Sequence, residues 1–170
     1  MSKIFSIFIA LIILTSCNIS SESEKIGGEW LMEGSRLGKG YMIGDKKDSN
    51  IAKEFMDAYE NMDAQLMVDL SADTVKFHPA DIGGVFDIDM TNTDFIVERQ
   101  SNWDSISRDY IFIMPLNMED SDGRIVTTAF SETRYVKDGS TETNIFYERL
   151  YINEQDLIAR VVQYSRPPNE

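Results

Sequence analysis

The sequence predicts an α+β fold in which three helices come first and an antiparallel sheet follows. Apolar residues recur every three or four positions between residues 50 and 105, and every second position after residue 109. Short turn segments separate the alternating stretches, which is typical of a meander. With 170 residues, 42% of them apolar and 26% charged, the chain is long enough for one domain with a hydrophobic core. Helices that precede such a sheet are expected to cover one of its faces.

The first seventeen residues have the pattern of a bacterial export signal. Lys3 gives a positive start, and residues 4–14 form an almost entirely apolar run of the length of a signal-peptide core. The run closes with Leu-Thr-Ser-Cys at residues 14–17, which resembles a lipobox, the motif whose cysteine is lipidated and becomes the mature N-terminus. We therefore expect residues 1–17 to be a lipoprotein signal and Cys17 to carry lipid; the alternative is an ordinary signal peptide with an incidental cysteine. Because this is the chain's one cysteine, lipidation would leave no thiol for a disulfide, a metal site or catalysis.

Charge and the residue after the cysteine indicate where the protein resides. A net charge of −13 argues against nucleic acid as a partner, because phosphate binding needs a basic surface. Anionic lipid repels such a chain, so we expect attachment to the membrane through acyl chains on Cys17. Asn18 stands where enterobacterial lipoproteins retained in the inner membrane carry aspartate. We expect an outer-membrane lipoprotein of a bacterial cell envelope.

Residues 18–48 are expected to link the lipid to a folded domain over residues 49–166. Residues 18–25 are rich in serine and glutamate, which is typical of a flexible spacer. Six of the ten glycines lie between Gly27 and Gly44, among apolar residues without a clear period. We expect this part to be a glycine-rich lead-in.

Two helices are predicted at the start of the domain. Apolar residues at three- and four-residue spacing predict the first over residues 50–62. Its candidate N-caps are Asp48, Ser49 and Asn50. Asp63 is expected to cap a second, short helix over residues 64–70.

A short strand and a third helix are predicted next. The strand covers residues 74–78 and ends at Pro79, which cannot donate to a sheet. Apolar residues at helical spacing then predict a helix that is capped by Thr91 or Thr93 and ends near Ser105. The alternating pattern finally predicts four antiparallel strands, over residues 110–116, 124–136, 142–152 and 157–164.

The order of these elements resembles the nuclear transport factor 2-like superfamily, which includes SnoaL-like and ketosteroid-isomerase-like proteins. Three stretches carry the resemblance: residues 61–66, 71–79 and 157–164. It covers about residues 49–166 and implies a cone-shaped, curved antiparallel sheet, a four-strand meander plus one short strand, packed against three N-terminal helices. Isomerases, dehydratases, cyclases and non-enzymatic binding modules all share this fold, so the resemblance implies no single activity.

His78 is the first candidate catalytic residue. In the isomerase branch, an aspartate just before a proline at the end of the first strand is the general base, and His78 occupies the matching position. A histidine could take a proton from the carbon next to a carbonyl at near-neutral pH. Alternation places His78 on the same face as Thr74 and Lys76, so a solvated histidine at a strand end is the alternative.

Glu148 is the second candidate, because it shares a strand face with Phe146 and Leu150. A carboxyl on such a face needs a partner or has a raised pKa. The resemblance implies the role of a protonated carboxyl that donates a hydrogen bond to a developing enolate. The alternative is a buried ion pair with Arg134, Arg149 or Arg160.

The isomerase pattern breaks at its third position, where Phe55 replaces the tyrosine that holds the oxyanion. Tyr59, one turn later on the same helix face, could replace it, with a core aromatic as the alternative. The expected pocket walls are Phe55, Phe95, Arg99 and Trp103, with core packing as the alternative for the last helix's aromatics. Acidic residues between positions 87 and 98 lack the glycine of a calcium loop, so we expect no metal site.

Two functions remain open. The favoured one is a lipid-anchored envelope protein whose pocket binds a small apolar ligand, or whose open sheet face binds a protein partner or a second copy in a homodimer. The alternative is a cofactor-independent isomerase, dehydratase or cyclase with His78 as general base and Glu148 or Tyr59 as hydrogen-bond donor. The binding function is favoured because the oxyanion tyrosine is missing, and neither function needs a cofactor.

Overall fold

The computed structural model describes residues 26–80 and 82–168, which form eight strands and three helices. The signal, Cys17 and the spacer that follows it lie outside the described residues. The elements are β1 (Ile26–Glu29), β2 (Gly40–Ile43), α1 (Lys46–Glu60), α2 (Ala64–Asp69), β3 (Ser71–His78), β4 (Phe86–Asp89), α3 (Asp94–Gln100), β5 (Trp103–Met118), β6 (Arg124–Val136), β7 (Thr141–Ile152) and β8 (Ile158–Arg166). The predicted α+β class is confirmed. No helix in the described part of the chain is long and apolar enough to cross a membrane.

All eight strands form one curved, unclosed sheet in the order β1-β2-β5-β6-β7-β8-β3-β4. Neighbouring strands are antiparallel except β3 and β8, which run parallel. The long strands β5 to β8 form the predicted meander. The core lies between the helices and one face of the sheet, the inner face, and its most deeply buried side chains include Ala52, Met56, Val126, Phe130, Leu150 and Ile158.

The first helix begins earlier than predicted because Asp45 caps it. The Asp45 side chain accepts a hydrogen bond from the Lys47 backbone N–H at 2.7 Å, so α1 starts at Lys46. Asp48, one of the predicted caps, is instead buried in the first turn and forms an ion pair with Arg124 on β6. Asp63 caps α2 as predicted, accepting from the Leu66 N–H at 3.0 Å.

The third helix ends at Gln100, so the prediction that it continues to Ser105 is wrong. Trp103 and Ile106 belong to β5, where the pairing register shifts between Trp103 and Ser105. This irregularity places buried residues three positions apart in a strand, a spacing that imitates a helix. The side chain of Gln100 fixes the end of α3 by donating to the Tyr59 carbonyl at 2.9 Å.

Strands β1, β2 and β4 add to the sheet that the sequence predicts. Gly27 and Gly28 leave β1 without alternating side chains, and β1 and β2 pair across the region expected as a lead-in. Strand β4 has four residues at the sheet edge and is mostly exposed. Strands this short carry too few residues for a period of two to stand out.

Candidate functional site

A cavity of about 80 Å³ lies between the helices and the inner face of the sheet. This is several times the space that one ordered water needs. The wall is mostly apolar, with side chains from all three helices and from β3, β4 and β8: Phe55, Met67, Val75, Phe77, Ile88, Met90, Phe95, Ile96 and Val161. The polar lining residues are Tyr59, Arg99, Arg108, Arg134, Glu148 and Gln163.

Strand register brings Glu148 and Gln163 together on the cavity wall. They are direct partners in the antiparallel pair of β7 and β8, so their side chains project from the same face. The Gln163 Nε2 donates a hydrogen bond to Glu148 Oε1. Glu148 is only 4% exposed, and this burial raises the pKa of its carboxyl, while the positive charge of Arg108 works in the opposite direction. The protonated form of the carboxyl is therefore more favoured here than it is in a glutamate on the protein surface.

Beside this pair lies a buried ion cluster of Arg108, Glu132 and Arg134, here called the Arg–Glu–Arg cluster. Glu132 Oε2 accepts from Arg108 at 2.7 Å from Nε and 2.6 Å from Nη2. Glu132 Oε1 accepts from Arg134 Nε at 2.6 Å. One carboxylate thus holds two guanidinium groups, and both arginines contribute to the cavity wall.

Aromatic rings fix the two arginines in place. The Arg108 guanidinium lies 4.6 Å from the ring centres of both Tyr59 and Phe130, and its Nη1 donates to the Met56 carbonyl at 3.1 Å. The Arg134 guanidinium lies 4.4 Å from the Trp103 ring. Burial raises the pKa of Tyr59, with a further contribution from the charge of Glu132, so its phenol stays neutral at physiological pH.

The structure brings most of the sequence-predicted site residues to the cavity. Glu148, Tyr59, Phe55, Phe95 and Arg99 all line it. The partner of Glu148 is Gln163, and the expected alternative of an ion pair with Arg134, Arg149 or Arg160 is not what the carboxyl forms. Phe55, at the position that the resemblance matches to an oxyanion-holding tyrosine, and Tyr59 both line the cavity.

His78 and Trp103 are not among the cavity-lining residues. His78 is the last residue of β3, on the strand face of Lys76, and pairs in register with Val162 rather than with the inward-facing Val161. Slight burial lowers its pKa, and the positive charges of Arg160 and Lys76 lower it further. Glu148 lines the cavity and His78 does not. Trp103 forms a T-shaped contact with the Tyr59 ring, with 6.4 Å between the ring centres.

Three polar residues of the site, Arg108, Glu132 and Gln163, were not predicted from the sequence. Glu132 could have been found by the argument used for Glu148, because it alternates with Phe130 on one face of β6. Arg108 lies between the predicted third helix and the strand predicted over residues 110–116, so no period covered it. Within residues 26–80 and 82–168, no group of three or more histidine, cysteine, aspartate or glutamate side chains could hold a metal ion.

Replacing Glu148 with glutamine is expected to change how stability depends on pH. Because the folded state holds the Glu148 proton above the ordinary pKa of 4.5, stability falls as pH rises from that value through the folded-state pKa. Glutamine can pair with Gln163 but cannot ionise. Thermal unfolding across this pH range gives the difference in melting temperature between Glu148→Gln and the wild type. We expect this difference, variant minus wild type, to increase with pH and then level off. A difference that stays constant or decreases with pH contradicts the raised pKa.

No protein-family model and no curated protein matches the chain, whereas solved structures do. A SnoaL-like protein from Shewanella denitrificans, named as a polyketide cyclase, superimposes with a TM-score of 0.56 at 7% identity, covering 72% of this chain and 92% of that one. A protein from Kribbella flavida, named as a ketosteroid isomerase, gives a TM-score of 0.56 at 12% identity over 75% of this chain and 84% of its own. An NTF2-like protein of unknown function from an Exiguobacterium species gives 0.54 at 16% identity over 68% and 98%. At these identities the likeness shows the fold alone: the chain has the nuclear transport factor 2-like fold, with a cavity between its helices and its curved sheet.

Proposed function

We propose that this domain binds a small, largely apolar molecule with one polar end in the cavity. The observation that carries the proposal is the composition of the wall, in which nine apolar side chains surround a polar region built on Glu148. Apolar walls supply most of the free energy of binding by removing ligand surface from water. A few fixed polar groups then determine which ligand is accepted and how it is oriented.

The polar region is fixed before any ligand arrives. Glu148 is held by Gln163, and Arg108 is held by Glu132, Met56 and two aromatic rings. Groups held by their neighbours lose little conformational entropy when a ligand binds. This cavity therefore has the properties of a formed binding site rather than of a packing defect, which in a protein core is apolar throughout.

The experiment is a calorimetric titration of residues 26–168, which contain the hydrophobic core, with hexan-1-ol as the probe. We expect saturable uptake at one site per chain. Heats no larger than those of dilution, at the solubility limit of the alcohol, would contradict the proposal. The variant that distinguishes the cavity from other apolar surfaces is described in the Discussion.

We also propose that lipid on Cys17 holds this domain at the cell envelope. The lipobox-like segment at residues 14–17 supports it, and the net charge of −13 opposes attachment through basic residues. Cys17→Ser in the full-length chain should move the protein from the membrane fraction to the soluble fraction after cell lysis. Unchanged fractionation, with a known lipoprotein as control, argues against lipidation.

The second candidate is a cofactor-independent proton-transfer enzyme. It is favoured by a buried carboxyl that lines a cavity beside a neutral phenol, and by fold neighbours that are named as a polyketide cyclase and a ketosteroid isomerase. His78 does not line the cavity, so Glu148 in its ionised form would take the proton from the α-carbon and return it, and Tyr59 would donate to the developing oxyanion. In a screen of carbonyl substrates for hydrogen exchange at the α-carbon, turnover that Glu148→Gln abolishes would support this function over simple binding.

A further inference from the structure

We infer that the polar end of the ligand is a carboxylate, bound by the terminal nitrogens of Arg134. This inference rests on the proposed binding function and names the chemical class of its ligand.

The cavity wall carries more positive than negative side chains, unlike the chain as a whole. The chain as a whole carries 29 acidic residues against 16 lysines and arginines. Among the described residues that line the cavity the balance is reversed, with three arginines, at positions 99, 108 and 134, and one acidic side chain, Glu148. An arginine-rich cavity inside an acidic protein concentrates positive potential where water is partly excluded.

The two guanidinium groups of Arg108 and Arg134 share a single carboxylate. Glu132 lies behind the wall and accepts from Arg108 and Arg134 at the same time, so both of its oxygens are used. One carboxylate balances one of the two guanidinium groups. Glu148 could balance the second, but its oxygen accepts from an amide rather than from an arginine, and burial favours its neutral form. An anion in the cavity would complete the pairing.

Arg134 can donate more hydrogen bonds than it makes within the described part of the chain. Its Nε donates to Glu132, and the Trp103 and Phe146 rings lie 4.4 Å and 5.5 Å from its guanidinium carbon. Within the described part of the chain, its two terminal nitrogens have no hydrogen-bond acceptor. The N–H groups of a guanidinium lie in its plane, so an acceptor approaches them in that plane. A carboxylate meets two terminal N–H groups in that geometry with two parallel hydrogen bonds.

The wall favours a carboxylate with an apolar tail over a phosphate. Nine of the fifteen lining side chains are apolar, and the space of about 80 Å³ is small. A phosphate is more strongly hydrated and needs donors on several sides, whereas a monocarboxylate presents one planar group and leaves the rest of the molecule to the apolar wall.

The test compares three probes with the same six-carbon chain, hexanoate, hexan-1-ol and hexylamine, titrated calorimetrically into the domain at neutral pH. We expect hexanoate to bind at least about ten-fold more tightly than hexan-1-ol, and protonated hexylamine to bind most weakly. Added salt should weaken only the binding of hexanoate. This ranking of affinities is measured on the wild-type protein, so it does not depend on whether a variant folds.

Arg134→Met retains much of the side chain's length against Trp103 but removes the guanidinium group. We expect it to reduce the ratio of hexanoate to hexan-1-ol affinity to about one. The matched control is Arg149→Met, on β7 and exposed, next in sequence to Glu148 but outside the cavity wall. It should leave the ratio as in the wild type.

The outcomes distinguish a failure of the carboxylate inference alone from a failure of the binding function. Uptake of hexan-1-ol with equal or weaker uptake of hexanoate overturns the carboxylate inference and leaves the binding function standing. An unchanged ratio in Arg134→Met shows that Arg134 is not the anion site, which also overturns the inference. If none of the three probes binds, the binding function fails and the inference fails with it.

Discussion

Replacing Glu132 with glutamine is expected to lower the free energy of unfolding by about 3–5 kcal/mol. Glu132 is 2% exposed and accepts from Arg108 and Arg134. Without its charge, two guanidinium groups in a partly dry interior lose the carboxylate that both of them contact. Arg108 cannot turn toward solvent, because two aromatic rings and the Met56 carbonyl hold it.

Urea unfolding followed by circular dichroism measures this loss. The matched control is Glu142→Gln, an exposed glutamate on β7 that faces Arg134 in the register of β6 and β7. We expect the control to change stability by less than about 0.5 kcal/mol. If Glu132→Gln changes it as little, the Arg–Glu–Arg cluster does not depend on its central carboxylate, and the charge pairing described above is wrong.

Replacing Val161 with phenylalanine is expected to abolish uptake of hexan-1-ol, with at least about a 100-fold loss of affinity. Val161 lines the cavity from β8 and pairs in register with Leu150 and Phe77. The larger ring enters the space that the ligand would use. Overpacking costs about 1–3 kcal/mol in a filled core and should cost less here, because an existing cavity receives the added atoms.

The control for this variant is the same substitution one residue further on. Val162 is on the opposite face of β8, so Val162→Phe adds the same bulk away from the cavity. Calorimetric titration should show wild-type affinity for Val162→Phe and no detectable uptake for Val161→Phe. Equal affinity in both variants would show that the alcohol binds elsewhere on the protein.

Local periodicity accounts for what the sequence could predict. Alternation on β7 located Glu148 correctly on the inner face, and the aspartate cap located α2. The same reasoning failed where the register shifts near Trp103, because an irregular strand imitated helical spacing. It also missed Arg108, which follows that irregularity and is buried by contacts with α1 and β6.

Cross-strand pairing could not be predicted in the same way. Gln163 is an ordinary polar residue in its own strand, and only the register of β7 and β8 brings it to Glu148. His78 shows the opposite case, since the motif around Pro79 implied a catalytic base, whereas the strand's alternation indicated the other face of the sheet. The structure places His78 in register with Val162 and outside the cavity wall. At this position, the face predicted by the local period agrees with the register of the strand.

The central claim is that the cavity between the helices and the sheet is the ligand site. The most direct measurement is a titration with hexan-1-ol followed by NMR of the isotope-labelled valine and isoleucine methyl groups. The account predicts that the methyl signals of Val75, Ile88 and Val161 shift and saturate together, while those of Val162 stay unchanged. Shifts confined to residues outside the cavity wall, or no saturable shift at any methyl group, would contradict it.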